Sequence, residues 1–531
     1  MLLQVPPSGA RRSCASATRL RRVRRRVAVL ASIVTSLAAL VAPASGSDLS
    51  SSPTHVAALA NSSAIRVAEE LPPMWATIDY AEGGEEIAPT LQNASGQALD
   101  PEMDAILKRL DALEKAAAKP EKKEEKPAEK KPEEKKPEKE DPLAGWTDMS
   151  TDKWTVKLGG HVQMDSVNWA DTDNAAIPAQ NYFEFRRLRL MADGTGYGVY
   201  DFRLQIDIEP ESGDGSTTPV TDVKDAFLSM NEVPLLDRIR IGNFFVPFGL
   251  EQVTNDTNNI FLERSIPTQG IFTADRELGM AFYSINDAMD FTYSGGLFVD
   301  GISESTKESI DDNQGQRISG RLTYLPYYDE PSNGRYLIHT GCGVLYTNDQ
   351  NDIARFRARP QVHEGPFVID SGNIASGSST IGNLELATVW GRFAMQSEAF
   401  LCNLNRIGLP NENLWGAYVH CSYFLTGENR IYERYGMHGA QFGRQVPFSN
   451  FFWVPGCCGP GAWEAKARWS NLTLNEIDSG EYNDLTVGFN WYWSERIRVM
   501  FDWIHPVTSP DSTPFGESHS DLLGMRFDFN W

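Results

Sequence analysis

From Asp152 to the last residue, apolar and polar positions alternate one for one in run after run. Tyr200, Phe202, Leu204, Ile206 and Ile208 alternate with Asp201, Arg203, Gln205, Asp207 and Glu209, so one face of the segment is hydrocarbon and the other almost wholly charged. Leu485, Val487, Phe489, Trp491 and Trp493 repeat the pattern, as do Trp415, Ala417, Val419, Cys421, Tyr423 and Leu425. In Trp463, Ala465, Ala467 and Trp469 the apolar row has tryptophan at both ends, which suits a strand crossing lipid between two interfaces. The closing run Leu523, Met525, Phe527, Phe529 and Trp531 alternates with Gly524, Arg526, Asp528 and Asn530. Period-two alternation makes strands. A soluble β-sandwich also alternates, but charge on nearly every second residue opposite aromatic-ended rows favours a barrel in a membrane. At roughly ten residues per strand, residues 151–531 hold about 16 strands. The expected fold is therefore all-β, a transmembrane antiparallel β-barrel wide enough to hold water.

The front of the chain has another character. Arg19 to Arg26 is arginine-rich, Val27 to Val41 is apolar and uncharged, and Ala42-Pro43-Ala44 offers a peptidase site, so residues 1–44 read as a secretory signal. The apolar run falls short of the roughly 20 residues of a spanning helix. Residues 45–100 lack periodicity and read as a disordered leader. Met103, Ile106, Leu110 and Leu113 space a short amphipathic, coiled-coil-like helix over 101–118. Residues 119–150 begin as Lys, Glu and Pro almost alone; proline breaks any helix and nothing can be buried, so they form an extended spacer.

Charge and cysteine narrow the partners. The formal net charge is −22, which argues against nucleic acid. Outer-membrane lipid and small solutes are the expected partners, and no cofactor or metal site is signalled. Of the six cysteines, Cys14 leaves with the signal, and Cys457 and Cys458 lie in a Pro/Gly-rich loop with no assignable role. Cys402 and Cys421 flank Asn411 and Glu412 symmetrically, which leaves two readings: a cross-strand disulfide, or two outward thiols.

The phase of the strands also places the arginines. Arg187 and Arg189 oppose Leu188 and Leu190, and Arg238 and Arg240 oppose Ile239 and Ile241; Arg186 and Arg203 sit in the same kind of run. Arginine at the lipid midplane costs about 2–4 kcal/mol, so these rows face the lumen. They either form a ladder that stabilises passing anions or pair with inward acids and stiffen the wall.

Several stretches, in order, carry a resemblance: Arg186-Arg187-Leu188-Arg189, Val223-Lys224-Asp225-Ala226-Phe227-Leu228, Ile241 to Glu251, Phe261-Leu262-Glu263-Arg264-Ser265, Arg276-Glu277-Leu278-Gly279, Phe424 to Glu428 and Gly459 to Glu464. Over Trp154 to Trp531 the chain resembles the phosphate-selective porin O and P family. The resemblance implies an outer-membrane porin, a homotrimer, with inward-folded loops beginning around Phe248 to Arg264 and basic residues favouring anions such as phosphate. Arg186, Arg187, Arg189, Arg264 and Arg276 match the family's basic positions. The departure is lysine: the barrel holds only Lys153, Lys157, Lys224, Lys307 and Lys466, and Phe245 and Gln252 stand where the family can carry lysine.

Three alternatives stand beside an anion porin. One is a general diffusion porin without anion preference, since the barrel segment has about 20 more acids than bases and draws cations to its mouths. Another is an envelope tether, in which residues 45–150 reach the cell wall. Catalysis is the third and is not expected: His161, His339 and His420 lie in strands with no serine-centred motif beside them, and Gly194 to Gly198 is a tight turn with no helix after it.

Overall fold

A computed structural model describes residues 153–210, 219–299, 315–451 and 459–531. The expected signal, leader, helix and spacer all lie outside the described residues, as do Cys457 and Cys458. The alternating segments form β1 (Trp154–Thr172), β2 (Tyr182–Gly196), β3 (Tyr200–Pro210), β4 (Pro219–Val233), β5 (Asp237–Phe245) and β6 (Arg276–Ile285). These continue as β7 (Phe291–Val299), β8 (Gln316–Tyr328), β9 (Tyr336–Asn348), β10 (Ile374–Trp390) and β11 (Phe393–Arg406). The ring ends with β12 (Glu412–Phe424), β13 (Ala462–Thr473), β14 (Glu481–Tyr492), β15 (Ile497–Thr508) and β16 (Ser518–Asn530). Each strand pairs antiparallel with its sequence neighbour, and β1 pairs with β16 from His161↔Asn530 to Thr172↔Ser520. The sheet is thereby a closed barrel of sixteen strands with no free edge, the form a membrane demands.

Side chains sort as the alternation requires. Leu158, Phe183, Leu190, Ile241, Leu384 and Leu401 are exposed on the outer face, which is the lipid face, while Arg189, Asp207, Glu398, His420 and Arg526 are buried on the inner one. The aromatics that end the outer rows are exposed at Trp390, Trp415, Trp469 and Trp531. Tight turns such as those at 197–199, 234–236 and 391–392 lie at one rim, and the longer connections 246–275 and 349–373 lie at the other. By that asymmetry the tight-turn rim is periplasmic.

Two β-bulges break the phase where it matters. The β1–β2 register shifts between Gln163 and Met164, leaving Arg186 as an extra residue, so Arg186 and Arg187 both turn inward. The β3–β4 register shifts between Gln205 and Ile206 and does the same for Lys224 and Asp225. Simple alternation would have sent Arg186 and Lys224 into lipid.

The symmetric placing of Cys402 and Cys421 is corrected by the hairpin register. The β11–β12 turn lies at residues 407–411, which sets Cys402 against Leu414 and Cys421 against Met395. Cys402 is buried on the inner face, Cys421 sits on the outer one, and both are free thiols.

Besides the loop 349–373, whose Gln361 is buried against inward Ser470 and Asp484, two connections fold into the lumen. Residues 246–275, between β5 and β6, carry a short helix, α1 (Leu250–Val253), and bury Phe248, Leu250, Phe261, Ile266 and Phe272 inside the barrel. The wall makes room with small residues: a Cβ on Gly416 would stand 3.0 Å from Pro267 Cβ, and one on Gly524 would strike Leu262. From the periplasmic rim, the connection between β12 and β13 inserts a hairpin, Tyr432–Gly436 with Gly439–Phe442. The two insertions meet where Asn258 Nδ2 donates to Phe442 O at 3.3 Å.

Candidate functional site

The first insertion is held by the wall, and the holding groups are mostly cations that grip backbone carbonyls. Lys466 Nζ donates to Ile260 O at 2.5 Å, Arg468 to Glu263 O at 2.9 Å, Arg498 to Asn259 O at 2.6 Å, and Arg526 to Leu262 O. From β11 the Glu398 carboxylate accepts the Leu250 and Glu251 N–H groups at 2.8 and 2.7 Å, capping α1. These contacts use up wall charges that would otherwise face water.

Between this insertion, the β2 and β4 wall and the loop 349–373 lies a cavity of about 330 Å³. Arg186, Arg187, Arg189, Lys224, Arg264, Arg276, Arg357 and Arg359 all line it. Six of the eight cations are paired. Arg186 meets Glu263 at 2.7 Å, Arg187 meets Asp256 at 3.4 Å, and Arg189 meets Asp207 at 2.5 Å and Asp256 at 2.7 Å. Lys224 meets Asp222 at 2.6 Å, Arg264 meets Asp256 at 2.7 Å, and Arg276 meets Asp225 at 3.0 Å while lying 3.8 Å over the Phe245 ring. Burial would raise the carboxyl of Asp256, but Arg187, Arg264 and Arg189 outweigh it and hold the group well below the usual carboxylate range. Glu263 is held low in the same way by Arg186, Arg187 and Arg526.

Arg357 and Arg359 differ. Among the described residues neither has a carboxylate within 4.0 Å. Arg359 Nε donates to Gly365 O at 2.9 Å, and both guanidiniums lie over the Phe367 ring, at 4.4 and 4.3 Å from its centroid. The loop that carries them is pinned at its tip by Gln361, buried against Ser470 and Asp484, and by His363 Nδ1 at 3.0 Å from Glu184 Oε2. Glu184, His363 and Glu364 also form the one trio with metal-ligand spacing among the described residues, their ligand atoms lying within 4.8 Å of one another. Here the trio ties loop to wall.

A wall of inward charge, lipid-facing outer rows and inserted loops describes a water-filled passage, and comparison with known proteins says of which kind. Residues 156–531 match the family model "Phosphate-selective porin O and P". The chain belongs to that family. A curated relative, Porin O of Pseudomonas aeruginosa, is 21% identical over 416 residues, spanning 72% of this chain and 89% of that one. An uncharacterized protein of Caulobacter vibrioides is 25% identical over 363 residues, spanning 66% of this chain and 68% of its own. Among solved structures, a loop-deletion mutant of the outer-membrane protein OmpT of Vibrio cholerae aligns at 9% identity and TM-score 0.45, over 72% of this chain and 100% of that one. The outer-membrane channel DcaP of Acinetobacter baumannii aligns at 10% identity and TM-score 0.44, over 72% and 99%. The protein is an outer-membrane porin, and small hydrophilic solutes pass through its lumen.

Within this porin the eight arginines picked from the sequence fall into two groups. Arg186, Arg187, Arg189, Arg264 and Arg276, the five that match the family's basic positions, are gathered at the constriction cavity. Arg203, Arg238 and Arg240 lie toward the periplasmic rim. Arg203 pairs with Asp193 at 2.6 Å, while Arg238 and Arg240 line a second cavity and donate to Met437 O of the inserted hairpin at 3.2 and 2.9 Å. Where the family can carry lysine, Phe245 packs under Arg276 and Gln252 lines the constriction. Arg357 and Arg359 did not emerge from strand phase, because they stand outside the barrel strands. The signal was the local period of two in Arg355-Phe356-Arg357-Ala358-Arg359, whose apolar members are buried.

Proposed function

We propose that this porin prefers anions, inorganic phosphate among them, and that the preference is set at the constriction cavity. The observation that carries the reading is the pair Arg357 and Arg359, two cations without a carboxylate partner among the described residues, aimed at a cavity whose other cations are neutralised. A paired guanidinium contributes little field at a distance, whereas an unpaired one offers N–H donors and a full charge to a passing anion. The test is the reversal potential of the purified protein in a planar bilayer under a salt gradient, with phosphate then added. An anion-sign potential and phosphate block of chloride current are expected, and a cation sign overturns the reading.

A general diffusion channel is the second reading, favoured by the number of lumen carboxylates that oppose the arginines. A homotrimer is the assembly that family membership supports. For residues 1–150 the proposal remains a cleaved signal followed by a helix and a charged spacer reaching toward the cell wall. Deleting 99–142 should leave conductance unchanged and loosen the envelope if the segment tethers.

A further inference from the structure

The loop hairpin at the constriction does more than present charge. Arg357 and Ala358 pair with Asp370 and Ile369, and this short ladder sets Arg357 and Arg359 on one face beside Phe367. An aromatic ring holds a guanidinium through its quadrupole without neutralising it, so the cations stay fixed and charged. Phe367 is itself only half-buried, lines the cavity, and is joined there by Val362 and Ala358. The cavity thus has cationic forks and an apolar wall side by side. At about 330 Å³ it is several times what one tetrahedral oxyanion fills. A bare oxyanion can use the forks but has no surface to set against the ring.

We propose that the cavity is built for an organic anion with an apolar body beside its carboxylate, the carboxylate on Arg357 and Arg359 and the body on Phe367. This rests on the anion preference proposed above and names its substrate class. Planar guanidinium matches a carboxylate with two parallel N–H···O bonds. The body, lying against the exposed part of Phe367, leaves water. An aromatic carboxylate should therefore bind more tightly than a carboxylate of equal charge without a body.

The experiment uses the full-length protein in a planar bilayer and compares block of chloride current by benzoate, acetate and inorganic phosphate. Benzoate is expected to block at concentrations about tenfold below acetate, the effect of taking roughly 55 Å² of apolar surface out of water. Phe367→Ser should bring the ratio of benzoate to acetate block close to one, whatever it does to block by either anion alone, and Phe367→Leu should retain part of the preference. A stable chloride current through each variant in the bilayer shows that it folds and inserts, and the ratio of the two blocks is read within one channel. Equal block by benzoate and acetate, or a Phe367→Ser channel with the wild-type benzoate advantage, overturns the proposal. A cation-sign potential in the wild type instead sinks the anion preference itself, so the two failures are distinguishable.

Discussion

Replacing Arg357 and Arg359 together by glutamine removes the cations at the constriction that lack a carboxylate partner, and the size of the effect follows from Coulomb's law. A monovalent anion about 5 Å from a guanidinium in a water-filled cavity gains roughly 0.8 kcal/mol per charge at a dielectric near 80. Two charges give about 1.7 kcal/mol, roughly fifteenfold in local anion occupancy, which screening at 0.1 M salt reduces to about fivefold. Because the same charges deplete cations by an equal factor, the anion-to-cation permeability ratio, read from reversal potentials under a KCl gradient, should fall by about the square of that factor, roughly 25-fold. The control is Arg276→Gln with Asp225→Asn, which deletes a buried pair 3.0 Å apart at the same cavity without changing net charge. It should leave the ratio near wild type. A double glutamine variant that keeps the wild-type potential, or a control that shifts it as far, would refute the assignment of selectivity to unpaired charge.

Three further outcomes follow, two from the contacts that hold the constriction and one from the register of the wall. Glu398→Gln leaves one acceptor oxygen where two cap α1 and accept from Tyr418 at 2.6 Å and Asn383 at 3.1 Å, and turns an amide N–H toward a backbone N–H, weakening the anchor by about 2–4 kcal/mol; single-channel records should become noisier with a larger mean conductance, and unchanged records would show that Glu398 does not hold the loop. Because the Asp256 and Glu263 carboxyls are depressed, their stabilisation is complete above the ordinary carboxylate value near 4 and fades only as pH falls through the lowered values. Between pH 8 and pH 5 the Asp256→Asn channel should therefore show the same pH dependence of conductance and reversal potential as the wild type, and a titration step in that window present in the wild type and missing in the variant contradicts it. Mass spectrometry of the unreduced protein should find Cys402 and Cys421 as thiols, since they occupy opposite faces of the wall and are not in register; a Cys402–Cys421 crosslink would show the register to be wrong.

The local pattern was enough for the barrel. Alternation fixes which side chains share a face, and lipid on one side with water on the other leaves a single way to orient it, so the outward Leu485, Phe489 and Trp491 and the inward Arg187, Arg189, Arg240 and Arg526 were all legible residue by residue. Strand number followed from chain length divided by the thickness of a membrane. What alternation does not encode is a change of phase. The bulges that bring Arg186 and Lys224 inward depend on pairing with a neighbouring strand, and the hairpin register that separates Cys402 from Cys421 depends on where the turn closes.

The site was half legible for a related reason. A sequence names cations, but whether a cation is free depends on which acid the fold sets beside it. Asp256 and Glu263 lie far along the chain from Arg187 and Arg189 and reach them only because residues 246–275 turn into the lumen. The sequence by itself determined the barrel, its two faces and an inventory of inward charge, because a period of two is a local property of the backbone. Only the tertiary structure decided which of those charges cancel and which remain for a solute, because pairing is a matter of distances across the lumen that no local pattern contains.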